Sequence, residues 1–214
     1  MWLGVPDFCE CISDVMLRGA LVPIAYLTRW DMQFATYTLS MISIDYCKTL
    51  ARYNRWQNQS LYAAAATLPD GTRKRNMGAF FKSIHGTLNH IMVADRLWLD
   101  RLEGHPSTIT ALNEELYNDF DQLTRHRVGA DDRLDRCVAT FDDASLAEPL
   151  TYRRMSGGGE AMTLPLSLVL MHIFNHQTHH RGQAGTLLMQ CGVDVGVTDL
   201  PMLPATFLSP VFGK

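Results

Sequence analysis

The sequence predicts an all-α fold made of four amphipathic helices. Apolar residues recur at spacings of three, four and seven in four separate stretches, which is the period of one helix face. One short stretch, residues 149–165, is instead typical of a β-hairpin or a long ordered loop. With 214 residues, of which 47% are hydrophobic and 19% charged, the chain is long enough for one domain with a sizeable core.

Charge and cysteine content argue against several classes of protein. The net charge of -3 and the pI of about 6.2 give no indication of a nucleic-acid-binding surface. No run of about 18 apolar residues occurs, so we expect no membrane span. The cysteines are odd in number and scattered, which argues against a disulfide framework and fits a reducing cytoplasm; they are Cys9, Cys11, Cys47, Cys137 and Cys191.

Residues 1–40 differ in character from the rest of the chain, and we interpret them as an N-terminal extension that is not native or is poorly ordered. Their apolar residues follow no steady period. The apolar segment 15–27 is broken by Arg18 and Pro23 and lacks a basic leader, so a signal peptide is not expected. One hypothesis is that Met41 is the true start. Residues 41–214 are then the helical domain with its C-terminal tail.

The first two helices are predicted over residues 44–68 and 78–103. The first combines an apolar face with a run of alanines, which have high helix propensity, and the turn after it begins at Asp70. Gly104 closes the second helix. Between them, the basic residues 73–75 are either a solvated loop or a basic lip over an anionic substrate.

The third and fourth helices are predicted to start near Thr110 and Thr163. The third extends to about residue 141, with Gly129 as a possible interruption. The hairpin or loop at 149–165, with glycines at 157–159, lies in the long crossover before the fourth helix. Thr163 can cap that helix and Gly192 ends it, and the proline-containing tail packs along the bundle or frays.

The fourth helix carries the clearest functional signal. His172, His176 and His180 are spaced four apart, so they share one helix face, and apolar residues fall on that face as well. Two imidazoles one turn apart can bind one metal ion, so geometry permits either consecutive pair. A single core histidine needs only one hydrogen-bond partner, but three in register are harder to satisfy. A third ligand is expected from His90, whereas His85 falls nearly opposite it on the second helix.

Three motifs together make the chain resemble the DinB family, within the DinB/YfiT-like superfamily. They are Tyr-Asn-Arg-Trp-Gln-Asn at 53–58, Phe-Phe-Lys-Ser-Ile-His-Gly-Thr-Leu-Asn-His-Ile at 80–91 with Ala-Asp-Arg-Leu-Trp at 94–98, and Asn-His-Gln-Thr-His-His-Arg-Gly-Gln at 175–183. The resemblance covers roughly residues 41–201, and residues 1–40 fall outside it.

The resemblance implies a four-helix bundle in up-down-down-up order, often a homodimer. It also implies a divalent metal held by three histidines, which match His90, His176 and His180 here. Members of the superfamily include bacterial thiol S-transferases and a thiol-dependent isomerase, so the implied partners are a small-molecule substrate and a low-molecular-weight thiol. Histidine ligands suit Zn, Ni, Fe or Cu, so the sequence does not choose the metal.

Two functions of different classes are compatible with these residues. The first is a metal-dependent enzyme, either a thiol S-transferase or a hydrolase; the second is a non-catalytic metal-binding stress-response module. No Glu lies between the fourth-helix histidines to act as a general base, which weakens the hydrolase version. Gln183 and Asn54 are candidates to support the ligands. Arg181 is expected to hold an anionic group or to form a salt bridge, and Asp95 to pair with a basic side chain.

Overall fold

The computed structural model describes residues 42–155 and 159–208, so the predicted extension at 1–40 and the tail beyond 208 lie outside it. Helices dominate, as predicted, with one two-stranded antiparallel sheet. The elements in chain order are α1 Ile44–Ala66, α2 Asp70–Lys74, α3 Ile84–Leu102, α4 Phe120–Ala139, β1 Pro149–Arg153, β2 Ala161–Pro165, α5 Leu166–Gln190 and α6 Ala205–Leu208, with short 3-10 turns at Ser145–Ala147 and Leu200–Met202.

Polar caps fix where three of the long helices begin. Ser43 accepts a hydrogen bond from the backbone N–H of Tyr46 at the start of α1, Ser83 does the same at α3, and Asp119 at α4. These caps satisfy backbone donors that have no partner within the helix. The predicted start at Ile44 is therefore confirmed.

The predicted start of the second helix near Gly78 is wrong by six residues, because residues 77–83 form a tight turn instead. The backbone N–H of Met77 donates to the carbonyl of Lys82 at 2.7 Å, and Lys82 donates back to Ala79 at 2.8 Å. Gly78 and Lys82 have φ values of +74° and +67°, which no helix can contain. The helix ends as predicted, with Gly104 at φ +69°.

The third helix begins at Phe120 rather than near Thr110. Leu112 and Leu116, whose spacing suggested an earlier start, pack against Val93 and Leu97 of α3 from a loop. Two leucines four residues apart can be buried from a folded loop as well as from a helix. Gly129 does not interrupt α4.

The segment before the last helix is the predicted hairpin. β1 and β2 pair antiparallel, with Pro149 opposite Pro165 and Thr151 opposite Thr163. The hydroxyls of these two threonines lie 2.8 Å apart. Thr163 is therefore part of β2 and does not cap α5, which follows the strand directly at Leu166.

The four long helices form a bundle in the up-down-down-up order. α1 packs antiparallel to α4, as shown by the bonds from Ile44 to Asp143 and from Arg55 to Asp135. α3 packs antiparallel to α5, and the pairs α1–α5 and α3–α4 are parallel. The prediction of antiparallel neighbours thus holds for two of the adjacent pairs. The long connection 103–119 carries the chain back to the other end of the bundle, so that α4 runs in the same direction as α3.

The core is divided in two by a buried polar layer at mid-height. One apolar cluster contains Trp98 and Phe174, and the other contains Leu61 and Leu188. The polar layer between them takes a side chain or two from every long helix: Asn58, Asp95, Arg127, Asp131 and Gln177. A buried charge needs such partners, because an unpaired one is costly to desolvate.

The chain after α5 packs along the bundle as far as the structure follows it. The Tyr53 hydroxyl donates to the carbonyl of Thr198 at 2.6 Å, and Gln57 donates to the carbonyl of Val197 at 3.1 Å. Leu203 is buried. Within the described ranges, none of the helices combines the length and apolar character that crossing a bilayer requires.

Candidate metal centre

Three buried histidines meet at the interface between α3 and α5. His90 is 2% exposed, His176 8% and His180 6%. One ring nitrogen from each lies within 4.8 Å of the others, and the Nε2 atoms of His90 and His176 are 3.2 Å apart. The two α5 residues are one turn apart, so both rings point at the same spot on α3. The fold therefore brings together the three histidines named from the sequence.

Hydrogen bonds hold two of the rings in the form that a metal requires. His90 Nδ1 lies 2.9 Å from the carbonyl oxygen of Leu112, and His180 Nδ1 lies 2.8 Å from Oε1 of Gln183. Because a carbonyl oxygen only accepts, each Nδ1 carries the proton and each Nε2 presents a lone pair. The amide of Gln183 is oriented in turn, since its Nε2 lies 3.1 Å from His179 Nε2. Gln183 thus contacts one of the imidazoles that it was expected to support.

Burial keeps two of the three imidazoles neutral. Desolvation, together with the neighbouring imidazole of His90, lowers the pKa of His180 to about 4. Desolvation and the surrounding histidines lower the pKa of His176 well below its ordinary value. Both rings are therefore unprotonated at neutral pH, which is the state that binds a cation.

An aromatic ring that the sequence reasoning did not assign covers the cluster. Phe81 stacks on His90 with ring centroids 3.8 Å apart and planes 16° apart, and it meets His180 edge-on at 5.5 Å. Phe81 lies in the sequence motif at residues 80–91, but nothing in that motif indicated the orientation of its ring. The Leu112 carbonyl was also missed, because a backbone acceptor on a loop leaves no side-chain signal.

The other histidines of α3 and α5 lie outside the cluster. His172 is half-buried, with its ring 5.6 Å from that of His176 and 5.3 Å from Trp98. His85 is buried but directs Nε2 at the carbonyl of Tyr117, 2.8 Å away. His179 is exposed.

The remaining predicted residues have structural surroundings. Asp95 pairs with Arg127, as expected of it. Arg181 is 7% exposed and donates to Gln177 at 3.0 Å, so it forms no surface salt bridge. Asn54 is fully buried and makes no hydrogen bond to an imidazole among the described residues, so the structure gives it no supporting role.

A cleft of about 770 Å³ opens beside His90. The turn before α3 forms one wall and the loop after it forms the other. Its volume falls within the range of small-molecule sites, roughly 300–1,000 Å³. The lining includes Phe80, Phe81, Lys82, His85, Asn89, His90, Leu112, Glu114 and Met155.

Comparisons with known proteins agree with the helical fold. A sequence model of the DinB family matches residues 36–206. The Protein DinB of Bacillus subtilis strain 168 is 29% identical over 161 residues, which cover 72% of this chain and 91% of that protein. A crystal structure of a DinB-like protein from Bacillus cereus ATCC 10987 superposes with a TM-score of 0.51 at 20% identity, over 66% of this chain and 90% of that one.

Proposed function

The chain belongs to the DinB family, and from that premise we propose that it is a metal-dependent enzyme that activates a thiol or a water molecule. In this proposal His90, His176 and His180 hold one divalent ion, such as Zn, Ni or Fe. Transfer to or from a low-molecular-weight thiol is the favoured reaction, and the second reactant is a small molecule.

The observation that carries the proposal is the convergence of three imidazole nitrogens inside the bundle. His90 and His180 each have the Nδ1 proton engaged, so both direct a lone pair at the same space. His176 joins them with Nε2 only 3.2 Å from that of His90. Lone pairs that face one another in a buried site need a shared cation or proton between them.

The chain's own residues prepare the site for chemistry. A divalent ion with three histidine ligands keeps open positions and lowers the pKa of a thiol or water that binds there. The Leu112 carbonyl and Gln183 fix the ring orientations, which keeps the lone pairs in place. Phe81 shields His90 from water. The cleft gives a substrate a route to His90.

Metal analysis of the purified protein, followed by a screen of thiols against electrophiles, tests the proposal. We expect close to one divalent ion per chain and metal-dependent consumption of one thiol. Stoichiometric metal without turnover of any thiol or ester would indicate a non-catalytic metal-binding module. Absence of metal after reconstitution with Zn, Ni and Fe would refute the site itself.

The proposal extends to the setting in which the enzyme works. Resemblance to the family suggests a bacterial, cytoplasmic homodimer, with neither nucleic acid nor membrane as a partner. Sedimentation at micromolar concentration tests the assembly, and a monomer alone would count against it.

A further inference from the structure

We propose that Phe80 and Phe81 form an aromatic wall that binds a planar, negatively charged aromatic group of the substrate in the cleft beside His90. The identification of this ligand as a substrate rests on the proposed function. The binding itself depends only on the residues of the cleft and is measurable without metal.

The backbone holds the two phenylalanines rigidly at the mouth of the cleft. The turn at residues 77–83 is closed by the Met77 and Lys82 backbone bonds. It presses against the first turn of α3 so tightly that a Cβ added to Gly86 would lie 2.1 Å from the carbonyl oxygen of Phe81. Only glycine permits this approach. The position of the rings is therefore set before any ligand arrives.

The two rings differ in what they contact. One face of Phe81 already contacts the histidine cluster, because the ring stacks on His90. Phe80 meets Phe81 edge-on at 4.8 Å, with planes 72° apart, and remains 59% exposed. An exposed aromatic face in a cleft, beside a second ring that is held in place, is a surface on which a planar group gains contact at little entropic cost.

The charge at the aromatic end of the cleft is positive. Lys82 follows Phe81 directly, lines the cleft, and forms no ion pair with a carboxylate in the described part of the chain. Lys74 is already paired with Asp70 at 2.8 Å. Both carboxylates of the lining stand on the opposite wall: Glu114 accepts bonds from the backbone N–H groups of residues 110 and 111, and Glu115 lies 3.7 Å from Nε2 of His85. An anionic substituent beside the Phe80 ring would therefore meet Lys82 first.

The test measures binding of 2,4-dinitrobenzoate to the full chain by amide chemical shifts and by titration. We expect the shifts to centre on Phe80, Lys82 and Leu112. Phe80→Ala should weaken binding roughly tenfold, because it removes an apolar face. Lys82→Gln should weaken it about threefold, as expected for one exposed charge. Acetate, which has the charge without the ring, should not bind measurably.

Matched controls separate loss of the wall from loss of folding. Phe80→Tyr keeps the ring and should bind within twofold of the unmodified protein. Met202→Ala truncates another exposed apolar side chain, 62% exposed and outside the cleft lining, and should also leave binding unchanged. An unchanged affinity in a folded Phe80→Ala variant, or shifts centred elsewhere, would overturn the inference.

The outcomes also distinguish this inference from the proposed function. If the protein holds no divalent metal but binds dinitrobenzoate through Phe80, the aromatic wall stands and the metalloenzyme proposal fails. If metal and thiol turnover are present while Phe80→Ala binds normally, the wall is wrong and the enzyme proposal is retained.

Discussion

Replacing His180 by alanine removes one of the three imidazole nitrogens that converge between α3 and α5. Gln183 keeps its contact with His179 in this variant. We expect this variant to lose stoichiometric metal binding. The matched control is His179→Ala, which removes a histidine at the adjacent position that is exposed and not part of the cluster.

The size of the effect follows from the number of ligands. Tetrahedral sites in small zinc domains bind with roughly 10–16 kcal/mol at pH 7, which is about 2.5–4 kcal/mol for each of four ligands. Losing one ligand should therefore weaken the metal affinity by roughly 10²- to 10³-fold. His179→Ala removes the side chain that orients Gln183 and no member of the cluster, so its effect should stay below the roughly 10- to 100-fold cost of losing a supporting partner.

Metal content by mass spectrometry and competition with a chromophoric chelator measure both quantities. His85→Ala should retain the ion, since His85 is bonded to Tyr117 instead. His172→Ala should weaken binding or stability without removing the site, because its ring only neighbours that of His176. Retention of metal in His180→Ala with loss in His172→Ala would refute the assignment and move the site one turn toward the start of α5.

Three further predictions concern stability. Gly86→Ala should destabilise the fold by about 1–3 kcal/mol in chemical denaturation, because its methyl group would collide with the Phe81 carbonyl. Asp95→Asn should cost about 2–4 kcal/mol and lower Tm by roughly 5–15 °C, because it removes the buried negative charge that pairs with Arg127. For the metal-free protein, the lowered pKa of His180 means that the unfolded state takes up its proton first on acidification. Stability should therefore be constant above about pH 6.5 and fall by roughly 3 kcal/mol toward pH 4, as measured by denaturation across that range.

Control variants make these outcomes specific. Gly129→Ala adds a methyl group in open space on α4 and should stabilise the protein by up to about 1 kcal/mol. Asp132→Asn removes a 43%-exposed carboxylate that pairs with Arg55, and should cost less than about 1 kcal/mol. Equal losses for Asp132→Asn and Asp95→Asn would show that burial does not set the cost. An acid-stable protein that loses nothing between pH 6.5 and 4 would contradict the assigned pKa of His180.

Helix periodicity predicted the long elements because each buries one continuous face. Gly104 as a stop could be identified, since a glycine just beyond a helix has a local chemical reason. The start of α4 could not, because Leu112 and Leu116 pack on α3 from a loop and mimic a helix face. The turn at residues 77–83 was not predicted either. Lys82 adopts a positive φ there, and a lysine in the sequence does not indicate that conformation.

The candidate site also contains some residues that the sequence predicted and some that it did not. His176 and His180 could be predicted as a pair from spacing within one helix, and the family motif chose them over His172. His90 was named because small neighbours leave room beside it. The stacking of Phe81 and the carbonyl of Leu112 depend on how separate segments pack, and no pattern within either segment encodes that.

The buried histidines come from helices that are distant in the chain, since His90 and His176 are 86 positions apart. An ion bound there would join those helices as a disulfide does, closing a long loop in the unfolded chain. By the usual chain-entropy estimate, a cross-link over a loop of that length is worth about 4–5 kcal/mol at 25 °C. The supply of metal would then set how long the protein survives heat and proteases, as well as any chemistry at the site. Molecules that carry the ion would be both the active ones and the ones that last longest.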